Sequence, residues 1–228
     1  MTLEEARRHL PSGDRQQAER QFVQAEQTFL RVLDHFSDFG DSAVLAQAHR
    51  GLAKISRKRG QMKQAQAQIE RALDLDKKLG NTSGMMADYE FLGGVYLSAG
   101  LLDSAEEAIC KALELGSPAH QDAVITVAYG NLGLIFKRRG NLHQAQRLLF
   151  KSLRMAQKLE REDIVSTQRA NLASIYAVRG RHARACILLQ NALRGFKKLG
   201  MEHAVAHSAR ALQLLMDRSQ RSSRGAVR

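Results

Sequence analysis

Small and apolar residues recur along this chain every 40 positions. Gly60, Gly100, Gly140 and Gly180 share one register, and Leu52, Leu92, Leu132, Leu172 and Leu212 a second. Ala25, Ala65, Ala105, Ala145 and Ala185 form a third; Leu33, Leu73, Leu113, Leu153 and Leu193 form a fourth. Four registers kept in phase predict a structural repeat. Each period reads as two helices. In the third, Val127, Leu132, Ile135 and Phe136 fall at helical spacing, and the pattern stops at Gly140. A glycine just past the last apolar position closes a helix, because it enters the left-handed conformation at little cost. Lys137, Arg138 and Arg139 occupy the last turn, where the helix dipole favours cations. A second amphipathic pattern then starts. Asn141 is placed to cap it, and Leu142, Ala145, Leu148, Leu149, Ser152 and Leu153 make one face.

The small residues predict how the two helices meet. Gly93 and Gly133, with Ala53 and Ala173 in the same register, follow the register leucine by one residue. The alanine register is expected to face them from the second helix. Small side chains on both sides let the backbones approach, so each pair closes as a tight antiparallel hairpin.

Tyr129-x-x-Leu132-Gly133-x-x-Phe136, followed by Ala145-x-x-x-Leu149, resembles the tetratricopeptide repeat pattern. Tyr89, Leu92, Gly93, Tyr96, Ala105 and Ile109 repeat it in the second unit. Leu172, Ala173, Tyr176, Ala185 and Leu189 do so in the fourth, with Arg169 in place of the leading aromatic. In the first, His49 and Ser56 replace both aromatics, while Leu52, Ala53, Ala65 and Ile69 hold. The family's closing proline is absent and the period is longer than the common ~34, which adds about 9 Å of helix per unit. Longer units of this kind are similar to those of kinesin light chain, the Pins-type spindle adaptors and bacterial regulatory proteins. The resemblance spans roughly residues 21–218. It implies an all-α, right-handed α-solenoid of antiparallel helix hairpins, with first helices lining a concave groove that binds proteins.

The expected organisation runs from a 1–13 extension and a 14–40 capping helix through repeats at 41–80, 81–118, 119–160 and 161–200. A capping helix at 201–218 and a disordered basic tail at 219–228 complete it. Pro11, Ser12 and Gly13 break the first helix that would precede residue 14. Half units at both ends cover apolar faces that a repeat array would otherwise expose. Pro118 follows Ser117, as at a helix start, and shortens the second helix of the second repeat.

Composition removes several function classes. Hydrophobic residues make up 44% of 228, enough to bury a core. Aromatics are 5% with no Trp, which disfavours an aromatic cage or a base-stacking platform. Two distant cysteines exclude a disulfide framework and are too few for a zinc module. Cys110 and Cys186 read as packing or surface thiols. The sequence has no Gly-rich phosphate loop, no G-x-S-x-G and no H-E-x-x-H. No enzyme activity, cofactor or metal is therefore expected. His203 and His207 are four apart and share a helix face, but no third ligand is evident; they read as surface histidines. The first thirty residues hold no apolar run, so no leader is expected. The longest uncharged stretch, Ala123–Phe136, is too short for a ~20-residue membrane span, and a cytoplasmic location is expected.

The resemblance then implies which residues meet a partner. An asparagine just before the register leucine faces the groove in similar repeats and bonds a peptide backbone. Asn131 and Asn171 stand there, and an amide can satisfy a peptide unit as donor or acceptor. The alternative is that they cap or solvate their helices. Gly51, Phe91 and Ala211 occupy the matching places elsewhere, so the ladder is incomplete. Other groove candidates are Arg50, Lys54 and Arg57, then Glu90, Lys137, Thr167, Ser174 and Arg210. Arg50, Lys54 and Arg57 lie on one face and suit a carboxylate or phosphate, or form a solvated edge. The full Lys/Asn carboxylate clamp of chaperone-binding repeats is not reproduced.

The net charge is +12, with −5 on residues 81–120 and +14 on residues 121–228. An acidic protein or peptide partner is expected to engage the C-terminal repeats and to weaken with salt. The leading expectation is an interaction scaffold or adaptor. The alternatives are weak, nonspecific nucleic-acid association through the basic half and a regulator whose groove closes on a peptide signal. Self-association through the end helices is a further expectation.

Overall fold

A computed structural model describes residues 15–36, 42–116 and 122–225. They form ten helices, and no strand occurs among the described residues. In chain order these are α1 (Arg15–Phe36), α2 (Ser42–Lys58), α3 (Met62–Leu79), α4 (Thr82–Ala99) and α5 (Leu102–Leu115), followed by α6 (Asp122–Arg138), α7 (Leu142–Lys158), α8 (Glu162–Val178), α9 (His182–Lys198) and α10 (Glu202–Gly225). The fold is all-α, as the periodicity predicts. The chain divides into two units, Met1–Val124 and Ile125–Arg228.

The first unit holds two apolar clusters. Ala25, Phe29 and Val32 of α1 pack with Ala48, Leu52 and Ile55 of α2. Ala53, Ala65, Ile69, Leu73, Leu92 and Val95 join α2, α3 and α4. The second unit is built around Leu149, Leu172, Ile175, Tyr176 and Leu189, with Leu215 of α10 closing its end. All five alanines of the third register are fully buried.

Glycine sets the length of the helices. Gly60, Gly80, Gly100, Gly140, Gly180 and Gly200 all have positive φ, between 63° and 81°. At Gly140 the turn is tied by two backbone bonds, from its own N–H to the Lys137 carbonyl (3.0 Å) and from Asn141 N–H to the Phe136 carbonyl (2.9 Å). This double closure satisfies carbonyls that a helix end leaves unpaired. Asn141 caps the next helix, its side chain accepting from Gln144 N–H at 3.1 Å. Glu160 occupies the same left-handed place at φ 52°, with the same pair of turn bonds. It is the one non-glycine residue among those described that does so.

The predicted close approach is present. A Cβ on Gly133 would meet Leu149 Cγ at 2.7 Å and the Ala145 carbonyl oxygen at 3.3 Å. A Cβ on Gly93 would run into Ile109 and lie 3.3 Å from the Ala105 carbonyl oxygen. In these two hairpins the first helix thus rests against the backbone of the second at the alanine register. Buried Ser152 adds a hydrogen bond from its Oγ to the Thr126 carbonyl, 2.7 Å, between α7 and α6.

The ends differ from the expectation in one respect. The last helix does not stop at 218 but continues to Gly225. Its terminal stretch has no proline to break it and ends on glycine, so helix propagates where no apolar face demands it. The 1–13 extension and residues 226–228 lie outside the described residues, as does Pro118.

Two stability predictions follow from these contacts. Replacing Glu160 by Gly should raise the unfolding free energy by roughly 0.5–1 kcal/mol, whereas Gly140→Ala should lower it by about 1 kcal/mol. Ala145→Leu should cost roughly 1–3 kcal/mol by overpacking the hairpin. Urea unfolding of the three variants checks both signs; unchanged unfolding of Ala145→Leu would refute the close-packing account.

Candidate functional site

The sequence candidates fall into two groups, one in each unit. In the first unit, Arg50 of α2 reaches two carboxylates whose side chains have no exposure, Asp88 of α4 and Asp76 of α3. Arg50 Nε donates to Asp88 Oδ1 at 2.5 Å and Nη2 to Oδ2 at 3.2 Å. Asn81 Nδ2 donates to Asp76 Oδ1 at 2.9 Å, while Asn81 Oδ1 accepts from Gly84 N–H. Lys54 adds its charge toward Asp88. Arg57 lies over the Phe91 ring, 4.2 Å from its centroid, and feels the charge of Glu90. The basic face of α2 therefore meets acidic and aromatic residues of α4. These four candidates, Arg50, Lys54, Arg57 and Glu90, serve contacts between the first and second repeats.

The signal for this network was in the charge pattern: a +5 repeat, residues 41–80, beside a −5 repeat, residues 81–120. Buried charges persist where they are paired and hydrogen-bonded. Here two buried carboxylates share one guanidinium.

The second unit contains a cleft of about 590 Å³ between α8 and α10. Its polar wall is Lys137, Thr167, Asn171 and Ser174, four of the residues expected from sequence. Ala170, Ala177, Ala204 and Ala211 supply its room, and Phe196, Leu189 and Leu215 its apolar floor. A smaller depression of about 210 Å³ adjoins it, sharing Thr167, Asn171 and Met201, and adds Asn131. Both asparagines thus face connected concave surfaces. Arg210 is exposed on α10 and does not line either.

Hydrogen bonds order this wall. Lys137 Nζ donates to Ser174 Oγ at 2.8 Å, and Ser174 Oγ donates to the Asn171 carbonyl at 2.6 Å. Asn171 Nδ2 donates to Gln168 Oε1 at 3.0 Å. Gln168 is buried, and its amide sits where a Cβ on Gly130 would be. Gly130 and Gln168 were not read from sequence as functional; a glycine inside a helix is the signal that was available. Burial pushes the Lys137 ammonium below its ordinary pKa, and the nearby Arg138 charge pushes the same way. Among the described residues Lys137 has no ion-pair partner. It is a half-buried cation that donates to the Ser174 hydroxyl in a largely apolar cleft.

His203 and His207 line the cleft from α10. Among the described residues no three His, Cys, Asp or Glu side chains are gathered to hold a metal ion. Cys110 and Cys186 are free and half-buried, and burial pushes the Cys110 thiol up. No described helix is long and apolar enough to cross a membrane.

The first unit's network carries a pH signature. Burial lifts the Asp88 carboxyl from its ordinary 3.8 to about 6, with Arg50 and Lys54 opposing. The folded chain then keeps a proton that the unfolded chain has released, and the stability contributed by this group falls as the pH rises from roughly 4 to 6. The wild type should therefore lose stability relative to Asp88→Asn across that window. Urea unfolding of both proteins through the window checks this; a pH-independent difference would mean that Arg50 keeps Asp88 ionised throughout.

The comparisons agree with the repeat architecture. Residues 128–162 match the family model of the tetratricopeptide repeat. No curated protein sequence matches the chain. Among solved structures, BtubC (BKLC) from P. vanneervenii is 21% identical, covers 91% of each chain and has a TM-score of 0.60. A Rap protein complexed with competence and sporulation factor is 14% identical over 88% of this chain and 71% of that one, with a TM-score of 0.63. A kinesin-light-chain-like protein of Podospora anserina with nearly identical TPR-like repeats is 18% identical over 86% of this chain and 93% of that one, with a TM-score of 0.59. Residues 128–162 are a tetratricopeptide repeat, and the chain has the fold of the tetratricopeptide-repeat proteins.

Proposed function

We propose that this protein is a protein–protein interaction module that holds an acidic segment of a partner in the cleft of its second unit. The observation that carries this reading is Lys137. A cation withdrawn from water, with no ion-pair partner among the described residues, is a receptor for an incoming anionic group. The apolar floor offers burial to the segment's other side chains, and the cleft volume lies in the range of small-ligand and short-peptide sites. Asn131 and Asn171 supply amides that can bond the segment's backbone in either sense. Gln168 orients Asn171, and Ser174 orients Lys137. The fold shared with a Rap protein complexed with competence and sporulation factor is consistent with ligand capture by such an array. The basic charge of residues 121–228 would draw an acidic segment toward this unit from a distance.

Fluorescence anisotropy with Asp/Glu-rich extended peptides and their Asn/Gln counterparts tests this. The acidic peptides should bind more tightly and weaken with salt. Asn131→Ala with Asn171→Ala should weaken binding roughly tenfold or more, because two net hydrogen bonds of about 1 kcal/mol are lost. Its unfolding midpoint should stay near that of wild type. Lys137→Met should abolish the preference for acidic over neutral peptides. Equal affinities in wild type and both variants would remove the cleft from the account.

A further inference from the structure

A second surface of the same unit is built differently. Arg147, Lys151, Arg154 and Lys158 of α7 are all exposed. Their spacing of four, three and four residues places them in one stripe about 16 Å long. The buried residues Ala145, Leu149, Ser152, Leu153 and Ala156 lie on the opposite side of the helix. The stripe therefore points away from the core. Phe150 and Met155 flank it half-buried, and the six side chains border a depression of about 470 Å³.

These cations lack the partners that comparable helices provide. No Asp or Glu occurs between Leu142 and Lys158. At the equivalent places of α5, Glu107 and Glu114 replace Arg147 and Arg154, and Lys111 is paired with Glu107 at 2.6 Å. None of the four α7 cations makes an ion pair among the described residues. Lys151 instead sits over the Tyr129 ring, 3.7 Å from its centroid. Four like charges along one helix face repel one another, so their grouping weakens α7 by itself.

We infer that the outer face of α7 is a docking surface for an acidic amphipathic helix of a partner protein. Charge complementarity asks for an anion, and two features select a helix. First, the cations recur at helical intervals, so carboxylates at i, i+4, i+7 and i+11 of a facing helix meet them rung for rung. Second, Phe150 and Met155 offer an apolar seat beside the charges. A nucleic-acid backbone would use the cations and leave that seat empty. This surface is separate from the α8–α10 cleft, and one chain can engage both.

The test uses the full chain and a synthetic amphipathic helix carrying Glu at i, i+4, i+7 and i+11 with Leu on its flanks. Wild type should bind it with an affinity that falls with salt. Arg147→Glu with Arg154→Glu should reduce binding at least tenfold and should capture instead the counterpart helix bearing Lys at those four places. The acidic helix should not displace a labelled acidic extended peptide from the α8–α10 cleft, since the two surfaces share no side chain. Circular dichroism and the unfolding midpoint show that the reversed variant is folded. If reversal changes neither helix's binding, the proposal fails. It also fails if single-stranded nucleic acid or anionic vesicles bind the same four side chains more tightly than the acidic helix does.

Discussion

The structure depends on how closely the two helices of a hairpin can approach. At Gly133 the approach to Leu149 and the Ala145 carbonyl leaves no space for a side-chain carbon. That contact fixes which face of each helix is inward, and hence which residues point into the concave and outer surfaces. The left-handed glycine turns serve the same constraint from the other side. They end six of the ten helices within a few residues, so the chain returns before the small-residue registers drift out of phase. Glu160 shows that the turn is demanded by the array and not by glycine itself, since the same bonds form there at a conformational cost.

The two units resolve their charge differently. In the first, the basic face of α2 is spent on the acidic α4, and Arg50 bridges carboxylates from two helices. That network binds one repeat to the next and commits Arg50 to buried carboxylates. In the second unit the positive residues have few acidic neighbours in sequence, and α7 has none within its own length. Lys137 in the cleft and the stripe on α7 are two expressions of that deficit. One is half-buried and geometrically fixed. The other is exposed, extended and screened by salt.

The architecture was legible because repetition multiplies weak signals. The leucine at position 132 says little alone; with its four partners it locates a hairpin core. The alanine register was read in full, since a residue that must be small is constrained at every repeat. The cleft was legible only in part. Lys137, Thr167, Asn171 and Ser174 were found from their places in the repeat. The alanines that create its volume were not, because alanine on a helix is ordinary and an absent side chain leaves no mark. Arg50 marks the opposite limit. Its helix face could be read, but its partner Asp88 lies 38 residues away on another helix. Whether a cation meets solvent or a buried acid depends on that packing.

This contrast bears on how such an array acquires binding sites. A repeat fold keeps its backbone contacts at the small-residue registers and frees the remaining positions to vary. Filling concave positions with alanine opens a cleft without touching the hairpin contact. Clearing acids from an outer face, as along α7, makes a charged track without touching the core. Both changes are available repeat by repeat, because the packing that would resist them lies on a different side of the helix. Cross-repeat pairs such as Arg50 with Asp88 set the opposite trend. They join neighbouring units and remove their charges from recognition. The distribution of such pairs therefore separates structural positions from those left open to a partner: Arg50 is committed to Asp88 and Asp76, whereas Lys137 and the four α7 cations make no ion pair among the described residues.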